Sequence, residues 1–111
     1  MCTQTQALEI LGEVYRQCGS RFGCPIDDAY LYGSFARGDH HKDSDVDILL
    51  TVPSDDLAPL RKIAADVTSR LSLEHDVTVS VSIKPSDQFK RYGASVPYYQ
   101  NVIREGIRYA Q

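Results

Sequence analysis

No apolar run approaches the ~20 residues that a membrane span requires. The opening residues Met1-Cys2-Thr3-Gln4 lack the basic and apolar stretches of a signal peptide, so the chain reads as cytoplasmic with no membrane partner. Cysteine is scarce: Cys2, Cys18 and Cys24 are odd in number and have no paired zinc-ligand spacing, which excludes a disulfide framework and a structural zinc site. Positive charge is not in excess either, with 12 Lys and Arg against 15 Asp and Glu and a net charge of -3. A phosphate backbone is held mainly by clustered Lys and Arg, so no direct nucleic-acid partner is expected. There is no internal repeat, low-complexity tract or linker. At 111 residues there is also no room for a second, substrate-binding domain, so residues 1–111 read as a single domain whose site a partner molecule completes. What remains is ordinary globular composition, 42% hydrophobic and 24% charged.

The local periods alternate. Leu8, Leu11, Val14, Tyr15 and Cys18 recur at helical spacing from Gln4 onward, with Gly19 as the expected stop. Ala29 to Gly33 reads as a first strand ending in Gly-Ser, Ser34 to Gly38 as one helical turn, and Asp39 to Ser44 as a polar loop. Asp45 to Val52 is a second strand. Ser54 is placed to cap a helix favoured by Asp55 and Asp56, with an apolar stripe from Leu57 to Leu71. Val77 to Ile83 alternates apolar and small polar residues over seven positions, a strand with one buried face. Short helices are expected around Asp87 to Tyr92 and from Pro97 to a stop at Gly106. This order predicts an α/β (α+β) fold, a small mixed sheet flanked by helices.

The chemistry concentrates between Tyr32 and Leu49. Asp39, Asp43, Asp45 and Asp47 fall within nine residues, and like charges ~4 Å apart repel by about 1 kcal/mol in water and about 4 kcal/mol when partly buried. Asp45 and Asp47 share a strand face, with Cβ atoms roughly 7 Å apart, so both can reach one cation. Val46, Ile48 and Leu50 point the other way and anchor the pair. Hard oxygen ligands of this kind suit Mg²⁺, which takes one or two carboxylates plus substrate phosphates. Taken alone, an Asp-x-Asp is more often a solvated strand start. Gly33-Ser34 changes that weighting, because a strand ending in Gly and opening a helical turn offers N–H groups and a hydroxyl to an anion. Arg37, one turn on, is expected to reach the same phosphates. Gly-Ser, ten residues, then Asp-x-Asp opening an apolar strand is a composite requirement that chance rarely meets.

On Gly33-Ser34-Phe35-Ala36-Arg37-Gly38 and Ser44-Asp45-Val46-Asp47-Ile48-Leu49, the chain resembles the nucleotidyltransferase superfamily related to DNA polymerase beta, specifically its minimal nucleotidyltransferases. The resemblance implies that the Gly33-Ser34 turn holds nucleotide phosphates and that Asp45 and Asp47 bind Mg²⁺. The tail Pro97-Tyr98-Tyr99-Gln100-Asn101-Val102-Ile103-Arg104-Glu105-Gly106-Ile107 looks like the ending of a subgroup found as antitoxins beside HEPN-domain ribonuclease toxins. The implied activity is Mg²⁺-dependent transfer of AMP from ATP to a hydroxyl of such a toxin. The alternative is an antitoxin of the same fold that neutralises its partner by binding.

Active members of that family use a third acid on the following strand to activate the attacking hydroxyl. Here Thr78, Ser80 and Ser82 share the relevant face. Two readings stand: Asp76, at the strand's start, supplies the acid, or Ser80 occupies its position and the site binds Mg-nucleotide without a base. His40 and His41 read as exposed loop residues, Lys42 as offsetting local charge, and the tyrosines 30, 32, 92, 98, 99 and 109 as packing with wet hydroxyls. Arg104, Glu105 and Arg108 read either as a solvated helix face or as a partner surface.

Overall fold

A computed structural model describes residues 2–109. The first helix, α1 (Gln4–Phe22), opens on a Thr3 capping box closed by Gln6 and ends at Gly23 in the left-handed conformation. The expected stop at Gly19 is therefore corrected. That glycine lies within the helix with only Ile26 near its open side, and the exit falls where φ reaches +80° at Gly23. Strand β1 (Asp28–Tyr32), the single turn α2 (Ser34–Arg37) and strand β2 (Val46–Val52) follow the predicted order. Helix α3 (Ala58–His75) begins after Leu57 and not at Ser54; the Ser54 hydroxyl instead accepts the Asp56 N–H, and no acid sits in the first turn. Strand β3 (Val79–Pro85) starts two residues later than expected, because Asp76 takes a left-handed φ of 51° and both Val77 N–H and Val79 N–H return to Ser72. Helices α4 (Ser86–Tyr92) and α5 (Pro97–Glu105) precede a two-residue strand, β4 (Ile107–Arg108), that the sequence pattern did not show.

The strands form one mixed sheet in the order β3-β2-β1-β4, with β1 antiparallel to β2 and β4, and β2 parallel to β3 across the α3 crossover. Strand alternation divides its faces. Ala29, Leu31, Val46, Ile48, Leu50, Val52, Val79 and Ile83 face the main core, with the apolar sides of α1 and α3. The opposite face carries Leu49, packed with Phe89 of α4 and with Tyr99 and Val102 of α5. Cys18 is fully buried, as its place on the apolar stripe predicts. Among the described residues no helix is long and apolar enough to cross a membrane.

Candidate functional site

The second face is only partly covered, and the site lies where the cover ends. Asp47 follows the first residue of β2 on the same face as Leu49, pairing with Tyr32 on one side and Ser80 on the other. Asp45 precedes the strand and is exposed, whereas Asp47 is half-buried. Asp45 thus stands outside the strand alternation expected to align the two acids, but its charge reaches Asp47, and Val46 and Ile48 are fully buried on the opposite face.

Gly33 joins this pair to the Gly-Ser turn. It ends β1 at φ 79° and ψ -156°, a conformation essentially restricted to glycine. A Cβ placed on it would stand 2.6 Å from Asp47 Oδ2, so the carboxylate occupies the space that any other residue's side chain would need. Ser34 opens α2 immediately after, and its hydroxyl makes no hydrogen bond among the described residues. Gly38, at φ 86°, then lets the chain leave the turn.

The electrostatics of Asp47 follow from this packing. Burial raises its pKa first and the Asp45 charge raises it further, while Arg37 acts in the opposite direction. Its carboxylate makes no hydrogen bond or ion pair among the described residues. A half-buried carboxylate beside a second one, with no cation partner, is the donor chemistry of a Mg²⁺ site completed by substrate oxygens. Among the described residues no group of three or more His, Cys, Asp or Glu side chains is placed to hold a metal, so protein carboxylates alone do not close such a site.

The other expected residues divide. Arg37 is exposed and bridges Asp39 at 3.2 Å and Glu105 at 3.4 Å, tying α2 to the end of α5. Asp76 caps α3 outside β3, while Ser80 stands directly beside Asp47 in the sheet. His40 is not simply exposed: its ring stacks on Phe35 with centroids 4.3 Å apart, and its buried Nδ1 has no hydrogen-bond partner among the described residues. His41 is exposed, and its Nδ1 accepts the Asp43 N–H, which helps to fold the loop leading into Asp45. Glu105 and Arg108 are taken up by Arg37 and Asp28 respectively.

Two features near the site had no sequence signal. The Tyr98 hydroxyl donates to the Tyr32 hydroxyl at 3.1 Å, and both burial and this partner push the Tyr98 pKa up, opposed by Ser82. Gln4 of α1 reaches the Phe35 carbonyl at 3.0 Å, steadying α2 from behind. Both contacts are between residues distant in sequence, which local periodicity does not encode.

The profile of the nucleotidyltransferase domain family matches residues 11–109. Two Methanocaldococcus jannaschii proteins described as candidate protein adenylyltransferases are similar. One is 31% identical over 98 residues, covering 82% of this chain and 99% of the relative; the other is 28% identical over 87 residues, covering 78% and 81%. Among solved structures, a candidate nucleotidyltransferase from Sulfolobus solfataricus superposes with a TM-score of 0.64 at 18% identity, over 97% of this chain and 83% of that one. A toxin-antitoxin crystallised with AMP-PNP gives 0.57 at 19% identity, over 91% and 70%. These structures share the mixed sheet and flanking helices described above. The chain therefore belongs to the nucleotidyltransferase domain family and is a nucleotidyltransferase by that membership.

Proposed function

We propose that residues 1–111 act in the cytoplasm as one minimal domain that transfers AMP from ATP to a hydroxyl of a partner protein. The observation that carries this reading is that the Asp47 carboxylate fills the space a side chain on Gly33 would need, which sets an acid against the Gly33-Ser34 turn. Asp45 and Asp47 would hold Mg²⁺, which when bound neutralises the triphosphate charge and polarises the α-phosphorus. The Ser34 hydroxyl and the adjacent backbone orient the β and γ phosphates, and Arg37, already within electrostatic reach of Asp47, offsets developing charge. The acceptor hydroxyl oxygen bonds to the α-phosphorus in line and gives up its proton to solvent water, the bond from phosphorus to the bridging oxygen breaks, and pyrophosphate leaves. The relatives described as candidate protein adenylyltransferases support a protein acceptor. The resemblance of the tail points to a HEPN-type toxin, whose modification would silence it, making this chain its antitoxin.

A second reading rests on Ser80 standing where β3 could have offered an acid beside Asp47. In it the chain retains the nucleotide site but neutralises its partner by complex formation alone. Incubation with α-labelled ATP, Mg²⁺ and the protein encoded beside this chain separates the two. Label on the partner, lost with Asp47→Asn, is the expected result; a stable unlabelled complex would establish the second reading.

A further inference from the structure

Among the described residues three large apolar side chains stand well exposed, and two of them, Tyr92 (43%) and Ile103 (53%), belong to the α4–α5 layer. Ile103 lines an open groove of about 650 Å³ with Tyr30, Phe89 and Gly93, and its charge comes from Lys90 and Arg104. No carboxylate lines it, although the chain as a whole carries a net charge of -3. Among the described residues Lys90 makes no ion pair, and Arg104 donates to Asn101 Oδ1 at 2.8 Å and has Glu105, at 3.7 Å, as its one carboxylate partner, which it shares with Arg37. A Cβ on Gly93 would stand 2.8 Å from the Phe89 carbonyl oxygen and 3.0 Å from Ile103 Cδ1, so this wall of the groove is packed too closely for a side chain there.

The groove and the carboxylate site occupy the same face of the sheet. Tyr30 of the groove lies two residues along β1 from Tyr32, the cross-strand neighbour of Asp47, a separation of about 7 Å. A helix laid between two helices offers its apolar stripe at i, i+3, i+4 and i+7, and acidic flanks complement Lys90 and Arg104. A second copy of this chain fits poorly, because a two-fold contact would set the same cations against each other. Single-stranded nucleic acid fits poorly as well: bases stack on open aromatic rings, and Phe89 is only 8% exposed. We propose that this groove docks an acidic amphipathic helix of the partner protein and so brings the acceptor to the carboxylate pair, an inference that rests on the protein-acceptor reading above.

The test is fluorescence anisotropy on the full chain with three labelled probes. These are an amphipathic peptide of roughly four helical turns with leucines at helical spacing and glutamates on its flanks, the same peptide with lysines for the glutamates, and an oligouridine. The acidic peptide should bind about tenfold tighter than its basic counterpart. The double variant Lys90→Glu, Arg104→Glu should invert that preference, and Ile103→Asp should abolish saturable binding, with circular dichroism establishing that each variant is folded. Equal affinity for the two peptides, preference for oligouridine, or a chain dimer dispersed by Ile103→Asp would each overturn the proposal. ATP binding should be unchanged in the charge-reversed variant, and peptide docking unchanged in Asp47→Asn. Docking without AMP transfer would therefore sink the transferase reading alone, and transfer without docking would sink the groove alone.

Discussion

Gly33 and Asp47 constrain each other so closely that each predicts the other's mutant phenotype. Gly33→Ala places a methyl 2.6 Å from Asp47 Oδ2 and holds alanine at φ 79°. Such a backbone costs about 1–3 kcal/mol. The variant should melt lower by that margin in thermal denaturation, and it should lose AMP transfer because the carboxylate must move. Asp47→Asn should do the reverse. The folded-state pKa of Asp47 lies above its ordinary value, so the native state holds that proton more firmly than the unfolded chain does. Stability therefore falls as pH rises from the ordinary aspartate value through the raised one, and the penalty is complete above it. At pH 7 the asparagine variant should melt higher than the parent although it transfers no AMP, and the two curves should converge in acid. A variant that is both inactive and less stable at pH 7 would contradict this account. Asp76→Asn tests a different point. Asn tolerates the left-handed region that Asp76 occupies, so the fold should survive. With Asp76 at the α3 cap and outside β3, transfer should change less than about threefold, within the scatter of a surface substitution.

Register makes the corresponding argument at the level of elements. Because β3 runs parallel to β2 with Ser80 opposite Asp47, a carboxylate at 80 would join the existing pair. Ser80→Asp should lower the melting temperature in metal-free buffer by like-charge repulsion, and Mg²⁺ should restore it more strongly than it shifts the parent. A Mg²⁺ response identical to the parent's would show that position 80 does not face the pair. The same register explains what the sequence disclosed. Gly33-Ser34 and Asp45-x-Asp47 were legible because each motif is short and their junction is a single antiparallel pairing, Tyr32 with Asp47. The start of β3 was not, because a non-glycine residue at positive φ, Asp76, carries no signature in periodicity. Nor was β4, whose two residues are placed by contacts distant in sequence: pairing with Tyr30 and Leu31, packing of Ile107 on the main core and the Arg108 bridge to Asp28. The stack of His40 on Phe35 was missed because a polar loop gives no sign of which ring lies beneath it.

Over the whole molecule the two sheet faces are unequal, and that inequality makes room for chemistry. One face is sealed by α1 and α3 around Leu31, Ile48 and Leu50. The other is closed by α4 and α5 over Leu49, with Tyr98 reaching across to Tyr32, and Asp47 stays half-buried while Asp45 is exposed just before β2. The Asp45 charge acts against Asp47 at the edge of the second layer, so under the proposed function a nucleotide with its cation would stabilise the folded state twice, by binding it and by relieving that repulsion. Binding alone contributes about 2.7 kcal/mol at a hundred times Kd. For a domain near this size that is a rise of roughly 10–20 °C in melting temperature. ATP with Mg²⁺ should produce such a shift in scanning fluorimetry, ATP with excess chelator much less, and Asp47→Asn should lose most of the difference. An equal shift with and without Mg²⁺ would mean that the nucleotide is held by the Gly33-Ser34 turn alone, and that the carboxylates serve the fold's second face without serving its chemistry.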